Sequence, residues 1–334
     1  MTPLHNMSDD ELWKRLADAT DSMRPELLQQ LGWRCIRRDE WGEAIALLEE
    51  AKDGYEKLGV SSDARLCTHW IARCHAELGD ADASIRNHMA VVEMKAAEGP
   101  LDEFAAKTLD AIGCEYRDSG RHLQAANYFG QAARVHDVNG SEEFAENSGR
   151  KWMDAITRTD TWADMPEASD LVLKNSTSIE AHVHVLVSRT RAQLAMSSLG
   201  YDIDAMLAKA ERLNGCQTDI QSTFAIELAR IAVMISRGNN TEARERAFHG
   251  RHAAIEMDEP VFQAQFLLAI ADAELESNPD EAREMLVLAQ ELGEVLKSEE
   301  IIDHAATSMM QLREQRLANP QLTLWEAALG EDAA

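Results

Sequence analysis

The sequence predicts an all-α chain built as antiparallel helix pairs stacked into a solenoid. Three observations predict it. First, one pattern of small and large residues returns three times between Leu28 and Ala132. Leu28, Leu31, Gly32 and Cys35 are followed by Ala44, Leu48 and Ala51. The same slots return as Thr68, Ile71, Ala72, His75, then Ser84, His88, Val91, and again as Leu109, Ile112, Gly113, Tyr116, then Ala125, Phe129, Ala132. The step is 40 residues from Gly32 to Ala72 and 41 from Ala72 to Gly113, the length of one helix pair in a repeat array. Second, spacings of three, four and seven put each set on one helix face. A Gly, Ala or Ser there admits a neighbouring backbone, and the large residue four positions after Ala44 or Ala125 fills the space beside the contact. Third, composition favours helix: 45% apolar and 5% aromatic residues, with only 7 Pro and 17 Gly. The nearest thing to a strand, Val183 to Val187, lies inside a longer helical pattern and reads as a buried helix.

In order along the chain, Ser8-Asp9-Asp10-Glu11 is a capping box that starts a short helix to Ala19, with Leu12, Trp13 and Leu16 as its apolar side. Repeat one runs from about Arg24 to Leu58, repeat two from Ser61 to Ala97, and Gly99-Pro100 punctuates before repeat three, which closes at Asn139-Gly140. The breaks Arg38-Asp39-Glu40-Trp41, Leu78-Gly79-Asp80 and Ser119-Gly120-Arg121 turn each pair back on itself. From Ser141 the pattern weakens. A fourth pair is expected to Lys174, irregular between Thr157 and Asp164, with Trp152, Ile156, Trp162 and Met165 as bulk and Ala168 in the small slot. A fifth spans Ser178 to Leu213 around Gly200. The sixth runs from Thr218 to Met257 around Gly238-Asn239-Asn240, with Ala243 in the small slot. The seventh starts at Pro260 and places Ala282, Leu286 and Ala289 in second-helix slots. Glu299 to Leu317 reads as a terminal cap, Pro320 breaks it, and Leu322 to Leu329 reads as a small amphipathic helix. The expected organisation is thus residues 1–23 as an N-terminal cap, 24–140 as three well-matched repeats, 141–297 as about four degenerate pairs, and 298–334 as a C-terminal cap and tail. With no Gly, Ser and Pro-rich linker, one continuous superhelix is the expectation.

These slots resemble the tetratricopeptide repeat (TPR) family, and the step of about forty residues is similar to its long-helix variants. Thr68, His75 and Cys35 depart from the usual large or aromatic residue at their slots. The resemblance implies a right-handed superhelical solenoid whose first helices line an inner groove. It places Gln29, Gln30, Trp33 and Arg37 on that groove in repeat one, His69, Trp70, Arg73 and Glu77 in repeat two, and Lys107, Asp110, Cys114 and Arg117 in repeat three. Trp and Arg are enriched at binding hot spots, so Trp33, Trp70, Arg37, Arg73 and Arg117 would form a cationic and aromatic strip. The competing reading makes both Trp ordinary repeat packing and pairs each Arg with a local acid. Chaperone-type TPRs clamp a C-terminal carboxylate with Lys and Asn in these slots, and Gln29, Trp33 and Trp70 depart from that set.

The chain has 33 Lys plus Arg against 59 Asp plus Glu, a net charge of −26. Such a field repels nucleic-acid phosphate and anionic lipid and attracts basic partners. No direct nucleic-acid binding and no membrane association are expected, since no segment approaches the ~18 apolar residues of a membrane helix. The five cysteines, Cys35, Cys67, Cys74, Cys114 and Cys216, fall mostly on apolar faces, and with no leader peptide in view a reducing cytoplasmic setting is the expectation. His249 and His252 share a helix face, but a zinc site needs further ligands. His182 and His184 point to different sides. Cys67 and Cys74 lie on a core stripe and His75 in a packing slot. Phosphate-cradling GxxxxGK[ST] and GxGxxG motifs and the GxSxG elbow are lacking. No catalytic residue, metal or cofactor is therefore expected.

The leading functional expectation is a non-catalytic scaffold or adaptor that takes a protein or peptide segment, a basic one included, in its groove. The alternatives are a peptide-sensing regulatory receptor without a DNA-binding domain, for which the short N-terminal stretch leaves no room, and an acidic inhibitor imitating DNA or an assembly component. Homo-oligomerisation through the tail around Leu322, Leu324, Trp325 and Leu329 completes the set.

Overall fold

The structure, a computed structural model, describes residues 4, 7–159, 161–196, 200–215 and 219–318, with side chains to 315. Cys216, Thr218, Pro320 and the tail carrying Leu322, Leu324, Trp325 and Leu329 lie outside the described residues, and with them the expected self-association surface. Among the described residues there is no strand, and the chain is mainly α-helix, with a 3-10 turn at Trp162–Asp164. The fold is an all-α solenoid of antiparallel helix pairs. Its contacts divide it into two compact units, Met1–Thr177 and Ser178–Ala334.

The first unit opens with α1 (Asp9–Ala17) and continues as four pairs: α2 (Arg24–Ile36) with α3 (Trp41–Leu58), α4 (Ser61–Glu77) with α5 (Ala81–Glu98), α6 (Glu103–Asp118) with α7 (His122–Val138), and α8 (Glu142–Ile156) with α9 (Met165–Asn175). The second unit holds three pairs and a final helix: α10 (Ile179–Ala195) with α11 (Ile203–Asn214), α12 (Ile220–Ser236) with α13 (Asn240–Glu256), α14 (Pro260–Glu274) with α15 (Pro279–Leu296), and α16 (Glu299–Ala318).

The capping box is formed: the Ser8 amide donates to Glu11 Oε2 at 2.7 Å and the Glu11 amide to Ser8 Oγ at 3.3 Å. Leu12 and Leu16 are buried as expected, one turn apart, whereas Trp13 is 45% exposed. It sits one residue round from Leu12, off the narrow stripe that so short a helix can bury.

One turn geometry recurs. The amide after a left-handed residue donates to the carbonyl five positions back: Glu40 to Cys35, Asp80 to His75, Arg121 to Tyr116, Ser141 to His136, Asn239 to Met234, at 2.8–3.0 Å. This is the Schellman closure, which satisfies carbonyls the ending helix leaves free. Gly79, Gly120, Gly140 and Gly238 supply the left-handed residue without a Cβ penalty, and Asp39 (φ 60°) takes the same place in the first pair.

The pairs are locked where small residues face large ones. A Cβ on Gly32 would lie 2.9 Å from Leu48 Cγ, and one on Gly113 would lie 2.6 Å from Phe129 Cδ1. These are the small and large slots of the sequence pattern, meeting across one pair. The fourth pair uses Gly149, whose Cβ would come within 2.8 Å of Val172 and 3.8 Å of the Ala168 carbonyl. The expected Ala168 thus has the right place, with Gly149 and Val172 as partners that the sequence pattern does not mark. Phe129 is wholly buried and cannot swing aside. Gly113→Ala should therefore lower stability in urea unfolding by about 1–3 kcal/mol. Gly42→Ala, whose Cβ would meet nothing within 4 Å, should be neutral or gain up to about 1 kcal/mol. Equal responses would mean the Gly113–Phe129 approach does not set the packing.

Candidate functional site

In the first unit the side chains named from the sequence fall into separate neighbourhoods. Gln29 is buried, 4% exposed; its carbonyl oxygen accepts from Tyr55 Oη at 3.1 Å and its amide approaches Cys67 Sγ at 3.4 Å. It joins α2, α3 and α4 and presents little to solvent. Gln30 is half-buried. Trp33 and Trp70 are half-buried against the same apolar cluster, which includes Leu28, Leu31 and Ile71. Trp33 Nε1 is buried without a hydrogen-bond partner among the described residues. Arg37 is exposed and sits at a recess of about 360 Å³ with Met7, Asp9, Arg34 and Arg38. There Arg34 and Arg38 reach Asp9 at 2.5 and 2.6 Å, and those bonds hold the Asp9 carboxyl below the usual range.

The structure does bring His69, Trp70 and Arg73 together. The Arg73 guanidinium lies 5.2 Å from the Trp70 ring, and the His69 ring lies 5.7 Å from Trp70, 5.5 Å from His88 and 5.2 Å from Phe104. Burial pushes the His69 imidazole down to about 4 and the His88 imidazole down to about 3, the neighbouring Arg73 charge adding to both. Glu77 is exposed. Lys107 pairs with Glu103 at 2.7 Å and lies 4.2 Å from the Phe144 ring. Asp110 accepts from Ser148 at 3.1 Å and pairs with Lys151, tying α6 to α8. Arg117 turns to Asp118 at 2.8 Å. Cys114 is half-buried and burial raises its thiol pKa.

The second unit contains a groove of about 490 Å³ that the sequence pattern does not single out. Its floor comes from the first helices of successive pairs: Leu194 on α10, Leu228, Ile231 and Ile235 on α12, and Leu268 on α14, with Ile301 on α16. Its ionisable groups are Arg191 on α10, Asp272 on α14, and Glu300 and His304 on α16. His304 Nε2 lies 3.0 and 3.2 Å from the two Asp272 oxygens, a bond that raises the imidazole pKa above its ordinary value. Ser308 Oγ is 3.5 Å from the same carboxylate. The sequence does carry one signal of the site. Asp272 is the single charged residue between Glu259 and Glu274, in an otherwise apolar helix.

Among the described residues, one group of three possible metal ligands lies within reach of a common point, Cys35, Glu40 and Glu43. Burial pushes the Cys35 thiol up to about 11, and metal binding needs the thiolate. Arg38 already holds Glu40 at 2.8 Å. His249 and His252 are exposed, the latter 3.5 Å from Glu256. No helix among the described residues is long and apolar enough to cross a membrane.

No protein-family model matches the chain, and no curated protein does. Two solved structures align over most of its length. One is a Rap protein complexed with competence and sporulation factor, at 10% identity and a TM-score of 0.39, covering 92% of this chain and 79% of that one. The other is aspartyl phosphate phosphatase F from Bacillus subtilis, at 10% identity and a TM-score of 0.47, covering 90% and 80%. Likeness at this level assigns no function to the chain.

The buried imidazoles give the first unit a pH dependence of definite sign. In the unfolded chain His88 takes up a proton below about 6.5, whereas in the fold it stays neutral down to about 3. Its contribution is present above pH 6.5 and is lost as pH falls toward the folded value. Between pH 6.5 and 4 the wild type should lose stability faster than His88→Leu by about 1.4 kcal/mol per pH unit. Urea unfolding of both proteins across that range measures the difference, and parallel curves would remove His88 from the account.

Proposed function

We propose that the chain is a helical-repeat binding module that takes a protein or peptide segment, without chemistry of its own, and that the groove of the second unit is where the segment lies. The observation that carries this reading is the groove's construction. Four helices contribute an apolar floor of about 490 Å³ with a few ionisable groups at its sides, a size and make-up typical of ligand sites. A helix stack suits the task because its packing slots are fixed while the outward positions of each first helix vary freely. The strip named from the sequence in the first unit fits the role less well. Gln29, Asp110 and His69 are engaged in helix-to-helix contacts there, and Trp33 and Trp70 lean on the core.

In a regulatory version of this reading, loading the groove would draw the helices of the second unit together. Small-angle scattering with and without a bound segment separates that receptor from a static adaptor.

The test is to plug the groove. Ala232 is half-buried and lines it, so Ala232→Trp should fill the floor while circular dichroism and thermal midpoint stay near wild type. Binding of a library of short capped peptides of random sequence should fall by about tenfold or more. Leu228→Glu is a second variant, should the first unfold. Trp33→Ala should bind as the wild type does. Unchanged binding by the folded plugged variants would refute the site, and loss in Trp33→Ala alone would move it to the first unit.

A further inference from the structure

The groove is not electrically uniform, and its asymmetry points to what it takes. Arg191 belongs to α10, whereas Asp272, Glu300 and His304 belong to α14 and α16, with α12 between α10 and α14. Neighbouring helix axes stand about 8–10 Å apart, so the guanidinium and the acidic group lie at opposite ends of an apolar trough. We propose that the groove selects a polypeptide segment of apolar residues carrying one lysine or arginine, with the basic side chain placed at the α14–α16 end against Asp272. This rests on the reading of the groove as a segment-binding site and adds the chemistry of what it accepts.

Three observations carry the proposal. The Asp272 carboxylate lies in the groove wall with a side chain only 28% exposed, so a charge brought to it is partly withdrawn from water and held more strongly than on the open surface. A carboxylate has about four acceptor positions. Here one imidazole N–H spans both oxygens at 3.0 and 3.2 Å, and Ser308 stands 3.5 Å away. Acceptor capacity remains for an ammonium or guanidinium arriving from the groove. Finally, Arg191 repels a cation placed at the α10 end, which sets the direction in which a segment lies. The lining between the ends is mainly apolar, with Ile231, Ile235 and Leu268, and its polar side chains there, Ser236 and Gln265, are uncharged.

The net charge of −26 attracts any basic peptide weakly, so the experiment must separate that background from the groove. The capped random peptide library is bound to the full chain at physiological salt and the retained pool is sequenced. Wild type should enrich lysine and arginine among apolar residues about tenfold over the input. Asp272→Asn, which keeps the shape and a hydrogen-bonding group for His304, should abolish that enrichment while still retaining apolar peptides. Asp280→Asn, an exposed acid at the start of α15, should leave it intact. Equal enrichment in wild type and Asp272→Asn, or none in wild type, overturns the proposal while the groove reading stands. A retained pool indifferent to the Ala232→Trp plug overturns the groove reading, and this one with it.

Discussion

The structure depends on close approach of consecutive helices, within pairs and between them, at positions that lack a side chain. Gly32 against Leu48, Gly113 against Phe129, Gly149 against Val172 and Gly293 against Ile301 are contacts in which an added Cβ would come within 3.0 Å of a buried or half-buried side chain. Gly250 against Phe266 is tighter still. Interiors pack near crystal density, so such a contact fixes both the distance between two helices and their rotation. Once rotation is fixed, each helix has a settled inner side, and the residues one or two places round from it face either the next pair or the solvent. The turns act in the same sense. A Schellman closure with a left-handed residue leaves little choice in how the chain reverses, and it recurs at Asp39, Gly79, Gly120 and Gly238.

That constraint makes the first unit legible in the sequence and its binding surface less so. The slots at Gly32, Ala72 and Gly113 can be read directly, because a small residue returning at a fixed step on one helix face marks a close helix contact. The positions just after Leu28, Thr68 and Leu109 read as groove-facing. In the structure Gln29 turns toward Cys67 on α4, His69 toward Phe104 on α6 and Asp110 toward Ser148 and Lys151 on α8. All three belong to the seam between successive first helices. A polar residue beside an apolar stripe looks solvent-facing when its partner is a repeat away, as the Cys67 thiol and the Lys151 ammonium are. Pattern within one helix cannot supply that partner.

The second-unit groove is hidden for the opposite reason. Helix α14 buries Phe266, Ile270 and Ala273 in one cluster and Ala264, Leu267 and Ala271 in another. Leu268 and Ala269 belong to these same clusters and also line the groove. A helix apolar on all sides reads as core throughout, and nothing in its periodicity tells a floor from an interior. What does stand out is a charge where the pattern asks for none. Asp272 is tolerated there because His304 and Ser308, one first helix further on, meet it, in keeping with the rule that an ion withdrawn from water needs partners.

The acidic excess and the groove carboxylate of Asp272 act at different ranges. At physiological ionic strength the summed field of the surface is screened over about 8 Å, and it raises the encounter rate with any basic segment without choosing among them. Several of the surface acids are already engaged: Glu50 by Arg24, Glu98 by Arg65 and Glu167 by Arg134. Exposed pairs of this kind contribute little stability and exchange readily with solvent. Selection has to come from a place where a cation cannot be replaced by water at no cost, and that place needs apolar walls. A carboxylate set in an apolar trough between first helices meets the requirement, which is why the helix spacing that organises the fold also decides where discrimination is available.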